Sequence, residues 1–231
     1  MDMETIVAPA SAWGRSALAV LRLSGSDALS LARRLCPEGP PWRERRLSLR
    51  RAMDSNTLID QIMVAWMPGP RTYTGEDVVE LSCHGNPVIQ QRLIDRLIEL
   101  GARLARPGEF TRRALLNGTL DLIQAESVLA TIEARSVEGA RIALEGMEGT
   151  LRGALEKIRE ELLDGCSEME ARLDHPGEDL GLDSDVLLAG RLSDLENRLT
   201  DLGESWIRTR PRIQGARVAL IGEVNAGKSS L

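Results

Sequence analysis

The chain has 231 residues, 42% apolar and 28% charged, with a formal net charge of −6, which fits one large or two small globular domains and excludes a fibrous or disordered composition. Cys36, Cys83 and Cys166 are scattered without CxxC or Cys/His spacing, which argues against a disulfide framework and a zinc site. No stretch approaches the roughly 18 uninterrupted apolar residues of a membrane span, so a cytoplasmic protein with reduced thiols and no membrane contact is expected.

Residues 1–118 alternate strand-like and helix-like segments. They hold 16 Arg, no Lys and 13 acids, a mildly basic balance too small to identify an anionic partner. Thr5–Ala8 and Ala17–Leu23 are short and rich in Val, Ile and Leu, as strands are. Ser24-Gly25-Ser26 turns the chain, and Ser26 is placed to cap a helix over Asp27–Leu35. Arg46–Ala52 and Gln61–Met67 read as further strands, the second stopped by Pro68-Gly69-Pro70. Asp77–Cys83 alternates apolar and polar residues as a half-buried strand does. Asn86 and Pro87 open a helix as N-cap and first-turn proline, and Gly101 closes it. The pattern predicts an α+β domain.

From about Asp121 the pattern is helical alone, and residues 119–231 hold 13 basic against 22 acidic residues. Leu144, Met147, Leu151, Leu155, Ile158, Leu162, Cys166, Met169 and Leu173 recur at steps of three and four, a single stripe of about thirty residues. His175-Pro176-Gly177 breaks it, and a second stripe runs through Leu188, Leu192, Leu195, Leu199, Leu202 and Trp206. Two amphipathic helices joined by a short polar loop predict an antiparallel hairpin in an α-helical bundle, each stripe burying the other. Such a stripe can also receive a partner helix. Val218-Ala219-Leu220-Ile221 is apolar throughout, as a buried parallel strand is. The expected organisation is therefore 1–118, 119–213, and 214–231 as the start of an α/β P-loop domain.

Gly222-Glu223-Val224-Asn225-Ala226-Gly227-Lys228-Ser229 fits G-x-x-x-x-G-K-[ST] directly after that strand. The glycines let backbone N–H groups converge on phosphates, the Lys228 ammonium meets the β- and γ-phosphates, and the Ser229 hydroxyl ligates Mg²⁺. Of 29 basic residues only Lys157 and Lys228 are Lys, so a compact ammonium at this position is informative. His84 and His175, the only histidines, lie in different domains without a triad signature. His84, in a strand-to-helix turn, suits a structural hydrogen bond.

The front half carries denser strings. Thr5-Ile6-Val7-Ala8 precedes Gly14-Arg15, Leu21-Arg22-Leu23-Ser24-Gly25 and Pro68-Gly69-Pro70. Then come Tyr73-Thr74-Gly75-Glu76-Asp77, Cys83-His84-Gly85-Asn86-Pro87, Arg106-Pro107-Gly108-Glu109-Phe110-Thr111 and Asn117-Gly118-Thr119-Leu120-Asp121-Leu122. Singly, each is a set of turns. Together, in this order and followed by the P-loop, they resemble the MnmE (TrmE) family of tRNA-modification GTPases over the whole chain.

The resemblance implies a front domain like the tetrahydrofolate-binding module of aminomethyltransferases, which dimerises and binds 5-formyl- or 5,10-methylene-tetrahydrofolate. Its folate contacts fall on Arg22, Glu80 and Thr119, the last a position where the family usually has a basic residue. A carboxylate can accept from aminopyrimidine N–H groups and a guanidinium can meet a carboxylate or carbonyl; a satisfied pair on neighbouring strands is the alternative for Arg22 and Glu80. For the P-loop it implies GTP on Gly222, Asn225, Ala226, Gly227, Lys228, Ser229 and Ser230, with potassium on Asn225 and magnesium on Ser229. The Pro usual before that Asn is Val224 here. It further implies a homodimer through the front domain, an FAD-protein partner, MnmG, and an aminomethyl-type group installed at C5 of the tRNA wobble uridine, U34. The alternatives are a folate-binding dimerisation module without GTPase activity, a GTPase of the ribosome-assembly type, and a helical interaction protein.

Overall fold

The computed structural model describes residues 4–174, 184–214 and Ala219, Ile221 and Gly222. The chain divides into two units, Met1–Asp121 and Leu122–Leu231.

In the first unit, the β-rich segments form one sheet from β1 (Ile6–Pro9), β2 (Ser16–Ser24), β3 (Leu47–Asp54), β4 (Thr57–Met67), β5 (Val78–Gly85) and β6 (Arg103–Leu104). The strand order is β3-β4-β5-β2-β1-β6, antiparallel throughout except between β1 and β6. Its helices are α1 (Ala28–Leu35), α2 (Pro87–Glu99) and α3 (Glu109–Leu116). Because side chains alternate across a strand, Ala19, Leu21, Leu23, Ile62, Val64, Val79, Leu81 and Cys83 share one face, buried with Leu31 and Leu35 of α1 and Leu93 and Leu97 of α2. The opposite face stays open. There the register aligns Leu47, Ala65, Glu80 and Arg22 in one row and Leu49, Met63, Ser82 and Val20 in the next. Leu18, Leu47 and Leu49 are exposed on it.

Asn86 caps α2, its side chain accepting from the Val88 N–H, and Pro87 takes the first turn, as the sequence predicts. Three expectations change. Ser26 does not cap α1: the helix follows Asp27, whose side chain makes no cap bond and whose N–H donates to Thr5 Oγ1 at 3.0 Å. The Gly25 turn lies so close to β1 that an added Cβ would fall 2.6 Å from that hydroxyl, so a donor-acceptor pair between elements replaces the local cap. β4 begins at Thr57 rather than Gln61, and pairs Thr57 with Asp54 in a tight hairpin around Ser55 and Asn56. Finally, α3 begins within a string that singly reads as turns, and β6 arises where no element is predicted.

The second unit contains α4 (Leu122–Glu133), α5 (Val137–Met147), α6 (Thr150–Asp174) and α7 (Ser184–Gln214). Ser136 caps α5 through its side chain and the Gly139 N–H. The stripe expected to run unbroken from Leu144 is interrupted at Glu148 and Gly149, where Gly149 takes a left-handed φ of 83°. The hairpin is antiparallel: Arg198 pairs with Glu161 at 2.7 Å and Arg191 with Glu168 at 3.1 Å. Ile158, Leu188 and Leu195 are buried, but Leu151, Leu155, Leu162, Met169, Leu192 and Leu199 stay exposed. The stripes therefore cover each other only in part. The break at His175-Pro176-Gly177 lies outside the described residues.

Ala219 and Ile221 belong to no strand, and Ile221 is 95% exposed; Val218 and Leu220 lie outside the described residues. Among the described residues no helix is long and apolar enough to cross a membrane.

Candidate functional site

Arg22 and Glu80 are direct cross-strand partners on β2 and β5, on the open face of the sheet. Arg22 Nε and Nη2 both donate to Glu80 Oε1, at 2.9 and 2.7 Å. The side chains are 29% and 32% exposed, reachable yet partly shielded. Among the described residues, Glu80 Oε2 and Arg22 Nη1 have no partner. The pair leaves one carboxylate oxygen to accept and one guanidinium nitrogen to donate, groups of the kind that bind an amide or aminopyrimidine. Of the two alternatives read in the sequence, the pair on neighbouring strands is present.

Two aromatic residues that sequence reasoning did not single out flank the guanidinium. Arg22 Cζ lies 5.5 Å from the Tyr73 ring centroid and 6.0 Å from that of Phe110, within cation–π range. Their signal was present, because the chain has one Tyr and one Phe. Thr119 reaches the site through Tyr73. Its hydroxyl lies 2.9 Å from the Tyr73 carbonyl and 2.9 Å from that of Ala114, and the Thr119 N–H already donates to Ala114 at 2.9 Å.

A buried polar network fixes the segment that carries Tyr73. Arg113, on α3, donates through Nη1 to both Glu76 oxygens, at 3.2 and 3.0 Å, and through Nη2 to the Glu4 carbonyl and Glu109 Oε1. Ser24 Oγ donates to Glu76 Oε2 at 2.7 Å and lies 2.6 Å from Thr74 Oγ1. Arg103, hydrogen-bonded to Glu109, holds that carboxyl well below its usual range, at about 2, with the Arg106 N–H and Arg113 adding to the effect and partial burial opposing it.

His84 lies at the end of β5. Its Nδ1 is 2.7 Å from Asp60 Oδ1, and its N–H donates to Asp60 Oδ2 at 2.9 Å. The structural hydrogen bond expected of it is present. Among the described residues no group of three or more His, Cys, Asp or Glu can hold a metal ion. Of the predicted nucleotide and metal contacts only Gly222 is described; Asn225, Ala226, Gly227, Lys228, Ser229 and Ser230 lie outside the described residues.

Residues 5–119 match the family model described as GTP-binding protein TrmE N-terminus, and residues 122–217 match the MnmE helical domain. The chain is 40% identical over 231 residues to a tRNA modification GTPase MnmE of Dechloromonas aromatica (strain RCB), covering 100% of the chain and 51% of that protein. It is also 40% identical over 231 residues to a probable tRNA modification GTPase MnmE of Cyanidioschyzon merolae, covering 99% of the chain and 50% of that protein. A tRNA modification GTPase MnmE of Synechococcus sp. (strain CC9605) is 40% identical over 234 residues, covering 100% of the chain and 52% of that protein. The chain spans about half the length of the curated relatives it matches.

Proposed function

The chain belongs to the MnmE (TrmE) family, as its N-terminal and helical part, and from that premise we propose that its first unit binds a one-carbon tetrahydrofolate on behalf of a tRNA-modification GTPase. The observation that carries this reading is the Arg22–Glu80 fork, with one acceptor and one donor free on the open sheet face. Glu80 Oε2 accepts from the N–H groups of the pterin aminopyrimidine, and Arg22 Nη1 donates to the adjacent carbonyl. When bound, 5-formyl- or 5,10-methylene-tetrahydrofolate supplies the one-carbon unit for C5 of the wobble uridine, U34. The fork orients the pterin and keeps its edge from water.

The rest of the proposal follows the relatives, each of which bears the name tRNA modification GTPase. Gly222, Asn225, Ala226, Gly227, Lys228, Ser229 and Ser230 hold GTP, with Mg²⁺ on Ser229 and K⁺ on Asn225. GTP hydrolysis drives a conformational cycle in a complex with an FAD protein of the MnmG type and tRNA. A homodimer through the first unit is supported by the exposed leucines Leu47 and Leu49, which lie two residues apart on the edge strand β3, since exposed apolar side chains side by side are what interfaces cover.

Calorimetric titration tests the folate site. The protein is expected to bind 5-formyltetrahydrofolate, and Glu80→Gln, which keeps the shape but loses the anionic acceptor, is expected to weaken binding at least about tenfold. Equal binding by both proteins would remove the fork from the site. The narrower reading carried from the sequence is a folate-binding dimerisation module without GTPase activity. GTP titrated into the same protein separates the two, since saturable binding contradicts the narrower reading.

A further inference from the structure

Tyr73 and Phe110, the only Tyr and the only Phe of 231 residues, stand beside one guanidinium. Core packing does not account for them, since neither belongs to the buried apolar cluster and both are half-buried. Nor is the Tyr73 segment an ordinary connection between β4 and β5. The Tyr73 hydroxyl lies 2.8 Å from Thr111 Oγ1 on α3, and the Tyr73 carbonyl accepts from Thr119. The Thr74 carbonyl accepts from Asn117 Nδ2 at 2.7 Å, and Glu76 is held by Arg113. Gly75 presses on the same turn: an added Cβ would lie 3.1 Å from Asn117 Cβ and from Thr119 Cγ2. These bonds hold the loop in place, and loops positioned by a rigid scaffold are where binding residues concentrate. Since Phe110 is itself on α3, the loop and the helix are tied as one piece that sets both rings against Arg22.

We propose that Tyr73 and Phe110 are the aromatic walls of the folate site, gripping the flat aminopyrimidine end of the pterin whose edge meets the Arg22–Glu80 fork, and that Thr119 serves the site only through Tyr73. This rests on the folate reading above. An aromatic face meets a flat conjugated ring by offset stacking, and its negative π cloud steadies the Arg22 cation at the same time. Thr119 carries no charge, so it cannot replace the basic residue usual at its position in the family; its hydroxyl is committed to backbone carbonyls. It is a positioning residue.

The test titrates 5-formyltetrahydrofolate into the whole 231-residue protein and its variants, with circular dichroism melts to confirm folding. Tyr73→Ala and Phe110→Leu are each expected to weaken binding about tenfold, and Tyr73→Phe by less than about threefold. Thr119→Val is expected to weaken binding about threefold, Thr119→Ser to restore it, and Tyr73→Ala/Thr119→Val to bind as Tyr73→Ala does, because two residues acting through one contact are not additive. If Tyr73→Ala does not fold, Tyr73→Leu carries the same test, filling the space without a ring. Wild-type affinity in Tyr73→Ala and Phe110→Leu, alongside loss in Glu80→Gln, overturns the walls and leaves the folate reading standing. Additive losses in the double variant overturn the positioning role of Thr119. No binding by the unmutated protein overturns the folate reading and this inference with it.

Discussion

Arg113 and Glu76 meet at 3.0 Å inside the first unit, with the Arg113 side chain 4% exposed and that of Glu76 13% exposed. Arg113 is the hub of its network, because Glu109 shares the same guanidinium. Removing it leaves the shielded Glu76 without its cation, while Glu109 keeps Arg103 at 2.6 Å, and breaking a buried pair on one side costs about 3–5 kcal/mol. Arg113→Ala is therefore expected to lower the unfolding free energy by about that amount in urea titrations. A loss below about 1 kcal/mol would mean that solvent, not Arg113, satisfies Glu76.

The same network predicts an acid limb. Glu109 is held at about 2, chiefly by its hydrogen bond from Arg103, against about 4.3 for a free Glu. A depressed carboxyl adds stability that is fully present above its unfolded value and is lost as pH falls toward its folded one. The contribution is on the order of 2–3 kcal/mol for a shift of this size, and it fades between about pH 5 and pH 2. Glu109→Gln is expected to flatten that limb, read as the midpoint of thermal unfolding against pH. An unchanged acid slope would place the titrating group elsewhere.

Local signals made much of the first unit legible. Asn86 and Pro87 announce α2 because a cap needs only its own residues. Ser26 misled because the α1 N-terminus takes its acceptor from Thr5, more than twenty residues away in the chain, and no local pattern encodes that approach. Thr57–Asp60 lies ahead of the strand predicted from Gln61, yet it is strand because the tight turn at Ser55 and Asn56 lays it against β3. The candidate site divides along the same line. Arg22 and Glu80 stood out through a family pattern, whereas α3, which brings Phe110 to Arg22, rests on tertiary ion pairs of Arg113 that a sequence window does not contain.

In the second unit, α4 and α5 approach closely at Gly146. A Cβ built there would lie 2.3 Å from Ser127 Oγ and 3.2 Å from Ser127 Cβ. The Ser127 hydroxyl is committed to the Ile123 carbonyl at 2.8 Å, so it cannot turn aside without loss. Gly146→Ala is expected to destabilise this unit by about 1–2 kcal/mol despite its better helix propensity. Ser127→Ala in the same background should return about half of that by removing the oxygen. Greater stability in Gly146→Ala would show that the helices separate freely at this point.

Thiol chemistry separates buried from exposed positions within one protein. Burial pushes the Cys36 thiol up to about 12, with Arg50 opposing only in part. Burial pushes Cys83 up to about 11, with Asp60 adding to the rise. Both are buried, and Cys166 is exposed. The thiolate is the nucleophile, so at pH 8 Cys36 and Cys83 are unreactive on two counts, burial and protonation. Iodoacetamide is expected to label Cys166 alone in the folded protein and all three cysteines in guanidinium, with the sites read by peptide mass spectrometry. Labelling of Cys36 at a rate near that of Cys166 would require the helix-covered face of the sheet to open on the timescale of the reaction, because Cys36 belongs to the buried cluster that α1 and α2 close over.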